Sequence, residues 1–282
     1  MCALAGVARS GFYRAWQASA PGAEETDLRD EVQRLALAHR HYGHRRIAAL
    51  LRRAGRVVNR KRVLRLMRED NLLCLRRKVF APATTDSRHG WTVWPNLARH
   101  LRTTGTDQLW VADLTYVRLA EGFCYLAVVL DAHSRRVVGW ALDGHLRAEL
   151  ALAALDMALA DRRVEPGQLV HHSDRGVQYA CGDYVGRLRG RGIQPSMSRV
   201  ACPYDNAMAE SFMRTLKREE VDGRAYRDME EARGHIAKFI EEQYNRQRLH
   251  SALDYLSPVE FEAQDEPPVP PGRAALVAET ML

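Results

Sequence analysis

Apolar positions recur at helical spacing early in the chain and give way to strand-like runs in its middle. Leu28, Val32, Leu35 and Ala36 mark a first helix from Asp27 to about Arg40, with Asp27 placed to cap its first turn. Gly43 breaks the pattern. Ile47, Leu50 and Leu51 then mark a second helix, Gly55 a turn, and Asn59 a cap ahead of a third helix carrying Val63, Leu66 and Met67. Past Thr106 the period changes. Leu109 to Val117, Phe123 to Asp131 and Arg136 to Leu142 are rich in β-branched and aromatic residues, and their connections are hairpin-short, which predicts a three-strand antiparallel meander. Alternating elements follow: a helix over Ala148 to Leu159, a strand Leu169 to His172, a helix Tyr184 to Arg191 and a strand Ile193 to Met197. Two long helices close the pattern, Asn206 to Lys217 and Asp228 to Asn245, the second with Ala232, Ile236, Phe239 and Ile240 on one side.

These elements predict an α/β chain with a mixed five-stranded sheet, in the order of an RNase H-like fold, preceded by an all-α, helix-turn-helix-like region. The chain divides into an N-terminal segment and linker (1–26), with an apolar cluster from Leu4 to Trp16, and a basic helical region (27–79). A polar linker (80–103), the core (104–220), a helical extension (221–264) and a Pro-rich tail (265–282) of disordered composition follow. With 282 residues, 46% hydrophobic and 27% charged, the composition excludes wholesale disorder, collagen and a coiled-coil rod. Five scattered cysteines (Cys2, Cys74, Cys124, Cys181, Cys202) form no Cys-x-x-Cys pair, so neither a disulfide framework nor a Cys-rich zinc site is expected. The apolar run Phe123 to Leu130 is of strand length and no signal peptide opens the chain, so the expected location is the cytoplasm, with no membrane span.

Charge changes the picture more. The formal net charge is +7, but Arg40 to Lys78 holds 14 Lys and Arg against Glu69 and Asp70, a local +12 that leaves −5 for everything else. A focused patch attracts phosphates better than the same charge dispersed, so nucleic acid is the expected partner and an anionic membrane surface the weaker alternative. Arg60, Lys61, Arg62 and Arg65 on the third helix are the candidate DNA contacts of a helix-turn-helix, although a solvated basic hairpin has the same pattern. His39, His41 and His44 cluster nearby, but without a Cys pair and with arginines among them they argue against zinc.

Three acids are the candidate chemistry. Asp113 lies inside the apolar strand Trp-Val-Ala-Asp-Leu-Thr, where a charge is costly unless it is paired or binds metal. Asp174 follows a strand, and Gly176 there is expected to let the backbone turn. Glu210 lies on a helix that can carry it against the sheet. Converging carboxylates suit Mg²⁺, with two ions expected for phosphoryl transfer and Mn²⁺ admitted by oxygen-only ligation. Singly, each acid also fits an ordinary ion pair.

The motifs around these acids resemble the insertion-sequence transposases of the IS-three type, specifically the OrfB subunit with its retroviral-integrase-like catalytic core. Family members carry Trp-x-x-Asp-x-Thr-Tyr, His-Ser-Asp-Arg-Gly-x-Gln-Tyr, Ser-Met-Ser, Pro-Tyr-Asp-Asn-Ala, Glu-Ser-Phe and Tyr-Asn-x-x-Arg-x-His-Ser-Ala-Leu-x-Tyr-x-Ser-Pro, and this chain has all of them. Sixty residues separate Asp113 from Asp174 and thirty-five separate Asp174 from Glu210. The resemblance implies a DNA transposase catalysing metal-dependent 3′-end cleavage and strand transfer, with Asp113, Asp174 and Glu210 as its Mg²⁺-binding triad and no covalent protein nucleophile. It implies that Lys217 touches transposon-end DNA, with Arg214 beside it on the helical face of Glu210. Asn206 is expected to seat Glu210, and His172, with His171, to support Asp174. Tyr244 to Leu253 is expected near the DNA or closing the core.

The implied partners are transposon-end and target DNA and further copies of the chain on DNA. An upstream-frame OrfA product is also implied, separately or as a frameshift fusion, because the chain begins almost at its helical region. One departure is Arg199-Val-Ala-Cys202, where relatives carry Lys-Gly-Asn or a similar polar turn. Two other readings compete: a metal-dependent DNA nuclease or resolvase of the same fold, and a non-catalytic DNA-binding regulator of transposition.

Overall fold

The computed structural model describes residues 23–74, 92–199 and 202–265. The chain separates between Arg76 and Arg77 into two compact units. The cluster from Leu4 to Trp16, residues 80–91 of the linker, Val200 and Ala201, and the tail after Asp265 lie outside the described residues.

Among the described residues the first unit holds three helices, α1 (Ala23–Ala38), α2 (His44–Arg53) and α3 (Arg60–Glu69). The two short helices are marginal alone, and burial of one apolar stripe on each stabilises them. Leu28 and Val32 of α1, Ile47 and Leu51 of α2, and Val63, Leu66 and Met67 of α3 fill that core. Asn59 caps α3 as its sequence predicts, its Oδ1 accepting from the Lys61 amide at 2.8 Å. Asp27 is not a cap. Helix α1 starts four residues earlier, with Glu24 and Glu25 in its first turn, and Asp27 accepts from Arg56 Nη2 at 2.8 Å.

The second unit is built on one five-stranded sheet of order β3-β2-β1-β4-β5. Strands β1 (Leu109–Arg118), β2 (Phe123–Asp131) and β3 (Val137–Asp143) form the antiparallel meander, and β4 (Val170–Ser173) and β5 (Gln194–Met197) add parallel to β1. Successive β1 residues point to opposite faces, which divides the core into two layers. On one face Trp110, Ala112 and Leu114 meet α4 (Ala148–Asp161), α5 (Val177–Ala180) and α6 (Gly182–Gly190). On the other, Val111 and Val117 meet α7 (Ala207–Leu216) and α8 (Met229–Lys238). Gly139 of β3 lies where α4 crosses the sheet; a Cβ there would sit 2.8 Å from the Ala158 amide nitrogen and closer still to the Ala154 carbonyl.

One predicted α-helix runs on past its expected end at Lys217 and the other, Asp228 to Asn245, departs from α geometry in its second half. Helix α7 continues as a π-helical turn, Lys217–Val221, and α8 as a π-helix, Phe239–Gln247, before α9 (Pro258–Asp265). The π segments keep Val221, Phe239, Ile240 and Tyr244 in the core. Side chains also reach the outermost strand. Asn245 Oδ1 accepts from the Val137 amide and its Nδ2 donates to the Val137 carbonyl, both at 3.0 Å, and Arg233 Nη2 donates to the Leu142 carbonyl at 2.6 Å. Among the described residues no helix is long and apolar enough to cross a membrane.

Candidate active site

Strand β4 pairs with β1 only from Leu109 to Val111, so beyond that point β1 has no strand on its β4 side. The site residues gather at this notch. Continuing the parallel register brings Asp174, one residue past β4, level with Asp113 on β1. Asp113 stands two residues after Val111 and Asp174 two after His172, so both take the face of that pair, the α7 face. Asn206 ties the start of α7 to β1 by donating from Nδ2 to the Ala112 carbonyl at 2.9 Å, and Glu210 follows in the first turn of α7.

A comparison of two strand carboxylates separates structure from chemistry. Asp131, fully buried at the end of β2, accepts from the amides of Asp107 (2.7 Å), His133 (2.9 Å) and Ser134 (2.8 Å) and from the Ser134 hydroxyl. Among the described residues Asp113 accepts from the Leu114 amide alone, at 2.9 Å, and burial together with Asp174 and Glu210 raises its pKa to about 7. Asp131 is a structural turn anchor. Asp113 instead carries charge that its surroundings leave largely uncompensated, as a cation-binding carboxylate does. The three acids are within electrostatic reach, although among the described residues no trio of His, Cys, Asp or Glu closes around a single point. Asn206 Oδ1 is buried without a hydrogen-bond partner among the described residues.

Asp174 is held by the Gly176 amide, which donates to its Oδ1 at 2.9 Å. Gly176 has φ −63°, ordinary for any residue, so the turn does not require glycine as its sequence position suggested. Space does. A Cβ at Gly176 would lie 3.0 Å from Asp174 Oδ1 and 3.0 Å from Gln178 Oε1. Gly176→Ala is therefore expected to displace the carboxylate and slow strand transfer about tenfold while changing stability by less than about 1 kcal/mol. Joining assays beside thermal unfolding check this; full activity would show that Asp174 tolerates displacement.

His172, two residues before Asp174, is buried, with Nδ1 2.8 Å from Ser196 Oγ and Nε2 3.1 Å from Ser198 Oγ. Burial pushes its pKa down to about 4, so it is neutral at pH 7. Ser198 donates to the Ser173 carbonyl at 3.2 Å and Ser196 accepts from the Leu97 amide at 2.9 Å. This chain of donors assigns the proton to Nε2, with Nδ1 accepting. The Ser-Met-Ser motif thus clamps β5 to β4 through a histidine, a function not visible in the motif itself. His171 faces the opposite layer, 3.0 Å from the Tyr184 hydroxyl.

Lys217 opens the π-helical turn, its Nζ 3.9 Å from the centroid of the Tyr116 ring. Burial lowers its pKa, and the carboxylates of Asp222 and Asp113 oppose that shift. Arg214 is exposed on α7. Asp205, just before α7, binds Arg199, whose side chain holds the carboxyl well below its usual range. Tyr116 could have been found from the Trp-x-x-Asp-x-Thr-Tyr motif, where an aromatic stands three positions after the acid.

In the helical unit, Arg60 and Lys61 are exposed. Arg62 and Arg65 are engaged: Arg62 pairs with Glu25, and Arg65 pairs with Glu25 at 3.1 Å and Glu69 at 3.7 Å. The acids of α1 therefore offset part of the positive patch. Glu25→Gln is expected to tighten non-specific DNA binding two- to fivefold and to steepen its salt dependence, because each arginine released to a phosphate adds about 0.9 to the slope. Anisotropy titrations at several salt concentrations measure both; an unchanged slope would show that neither arginine faces phosphate.

The family description "Integrase core domain" matches residues 103–203, a second description of the same name matches 191–258, and "HTH-like domain" matches 23–80. Among solved structures, a chain of a simian T-cell lymphotropic virus intasome in complex with PP2A regulatory subunit B56 gamma is similar at 14% identity, covering 86% of this chain and 76% of that one, with a TM-score of 0.49. A 31 kDa protein of insertion element IS600 from Shigella sonnei is 40% identical, covering 93% of this chain and 97% of the relative. The transposase InsF for insertion sequence IS3A from Escherichia coli (strain K12) is 37% identical, covering 93% of this chain and 92% of the relative. The chain belongs to the IS3 family of insertion-sequence transposases. This transposase thus pairs a helix-turn-helix-like unit with an integrase core domain, the mixed sheet and preceding helices that the hydrophobic pattern predicts.

Proposed function

We propose that this transposase cleaves the 3′ ends of its element and joins them to target DNA, with Asp113, Asp174 and Glu210 as the carboxylates that hold Mg²⁺ or Mn²⁺. The observation that carries this reading is Asp113, a strand carboxylate with one amide donor and two neighbouring acids. The donor set fits: three carboxylates and the unpartnered Asn206 Oδ1 offer only hard oxygens. Divalent cations held there would act as Lewis acids, activating the attacking oxygen and neutralising charge on the transferring phosphoryl group.

The chain's own part is positioning. In cleavage, water attacks phosphorus, the bond to the 3′ oxygen breaks, and a free 3′ hydroxyl and a 5′ phosphate result. In joining, that hydroxyl attacks a target phosphodiester, a new bond to its 3′ oxygen forms, and the target's own 3′ oxygen leaves with a proton. Asn206 fixes the origin of α7 and hence Glu210, and the Gly176 amide orients Asp174. Lys217 supplies a cation toward a DNA phosphate beside Asp113, with Arg214 exposed one turn earlier. Arg60 and Lys61 present the exposed charge of α3 to duplex DNA.

The test is Mg²⁺-dependent cleavage and joining on labelled oligonucleotides carrying the element's own ends, with Asp113→Asn as control and an upstream-frame fusion in parallel. Joining lost in the variant is expected. Cleavage without joining in either form would assign a nuclease, and DNA binding without processing would assign a regulator.

A further inference from the structure

The Tyr-Asn-x-x-Arg-x-His motif of the extension contains a buried cation that the proposed chemistry does not use. Arg248 has a side chain only 5% exposed, and its Nη2 lies 2.7 Å from Oε1 of Glu219, itself 9% exposed. Arg248 Nε and Nη1 are buried without partners among the described residues. A guanidinium held this deep on a single carboxylate is costly to keep, and what it holds is therefore informative. It holds the π-helical turn after α7, two residues beyond Lys217.

The next residue of that turn is anchored separately. Glu220 Oε1 lies 2.7 Å from Arg224 Nε, 3.2 Å from the Tyr226 hydroxyl and 3.6 Å from His235 Nδ1. Consecutive acids thus fix the turn from two directions, and Lys217 is the residue the turn presents to the notch. A π segment in place of a continued α-helix changes the direction of every side chain after Leu216, so the geometry of Lys217 depends on that segment being held.

We propose that Arg248, through Glu219, is a positioning residue that sets the Lys217 ammonium over the Tyr116 ring beside the acid cluster. This rests on the reading of Asp113, Asp174 and Glu210 as the reactive centre for its consequence in strand transfer, but the placement of Lys217 is measurable without activity. The extension then belongs to the reactive apparatus in a specific sense: a side chain about thirty residues downstream fixes the direction of a cation at the notch.

The chain contains four lysines, Lys61, Lys78, Lys217 and Lys238, so reductive ¹³C-dimethylation of the full-length protein gives a countable set of methyl signals with charge retained. The ring current of Tyr116 is expected to displace the Lys217 signal upfield, with Lys217→Arg removing the signal and Tyr116→Leu removing the displacement. Glu219→Gln, nearly isosteric, and Arg248→Gln are expected to cut the displacement by half or more, leave the other lysine signals in place, and lower kcat for joining about tenfold with KM little changed. Arg248→Lys is expected to restore part of both. A displacement unchanged in folded Glu219→Gln would overturn the proposal even if Arg248→Gln does not fold. Joining that survives Asp113→Asn would instead overturn the catalytic reading and leave the methyl result intact.

Discussion

Asp113→Asn is expected to abolish cleavage and joining, by at least about a thousandfold or about 4 kcal/mol, while leaving DNA binding in place and making the cation-free protein more stable. The two effects have one cause. Asparagine keeps the volume and the Leu114 amide contact but removes a charge that burial, Asp174 and Glu210 all disfavour. Because the folded-state pKa of about 7 lies above that of the unfolded chain, near 3.9, the protonated Asp113 contributes stability that is complete below about pH 4 and lost as pH rises to about 7. At pH 7.5 without divalent cations the variant should therefore exceed the wild type by on the order of 2–4 kcal/mol, or about 5–15 °C in Tm. The gap should close near pH 4, and Mg²⁺ at pH 7.5 should raise the wild-type Tm more than the variant's. Equal melting curves at pH 7.5, with and without Mg²⁺, would show that the acids do not repel one another.

Gly139→Ala is expected to be the most destabilising single methyl in the sheet. The added carbon would overlap the backbone of α4 at Ala154 and Ala158, and backbone cannot rotate away as a long side chain can. Helix and sheet would have to separate, at about 3–5 kcal/mol, with a Tm lowered by about 10 °C or more. Gly186→Ala in α6 is the control, since nothing lies within 4 Å of its added carbon. It should stabilise by about 0.5–1 kcal/mol through helix propensity. Thermal unfolding of the full chain distinguishes the two, and a wild-type Tm in Gly139→Ala would mean that α4 does not seat on β3 as described.

The sheet and the place of Asp113 within it were legible for a physical reason: both are encoded by local contrast. A carboxylate among Trp110, Val111, Ala112 and Leu114 stands out in a strand, and three short apolar stripes interrupted at Gly43 and Gly55 announce three helices. The ends of elements were less legible. A π-helix differs from an α-helix by less than one residue per turn, so the apolar spacing after Lys238 predicts continued α-helix where the chain widens, and the π turn after Leu216 runs past the predicted end at Lys217. Long-range partners were not legible at all. Glu25 lies thirty-seven residues from Arg62 in the chain and Glu219 twenty-nine from Arg248, and no local pattern reports such a meeting. Gly176 was legible as important but for the wrong cause, because backbone freedom and lack of volume look the same in a sequence.

The side chains that meet β3 also bear on how the molecule behaves in a crowded cell. An outermost strand offers unpaired amides and carbonyls to any passing strand, which is how folded sheets begin to polymerise. Here Asn245 occupies both backbone groups of Val137 and Arg233 occupies the carbonyl of Leu142, so the extension caps part of that edge. A chain cut within the extension would lose more than packing. It would expose a strand edge, and its failure would be seen as self-association before it was seen as unfolding.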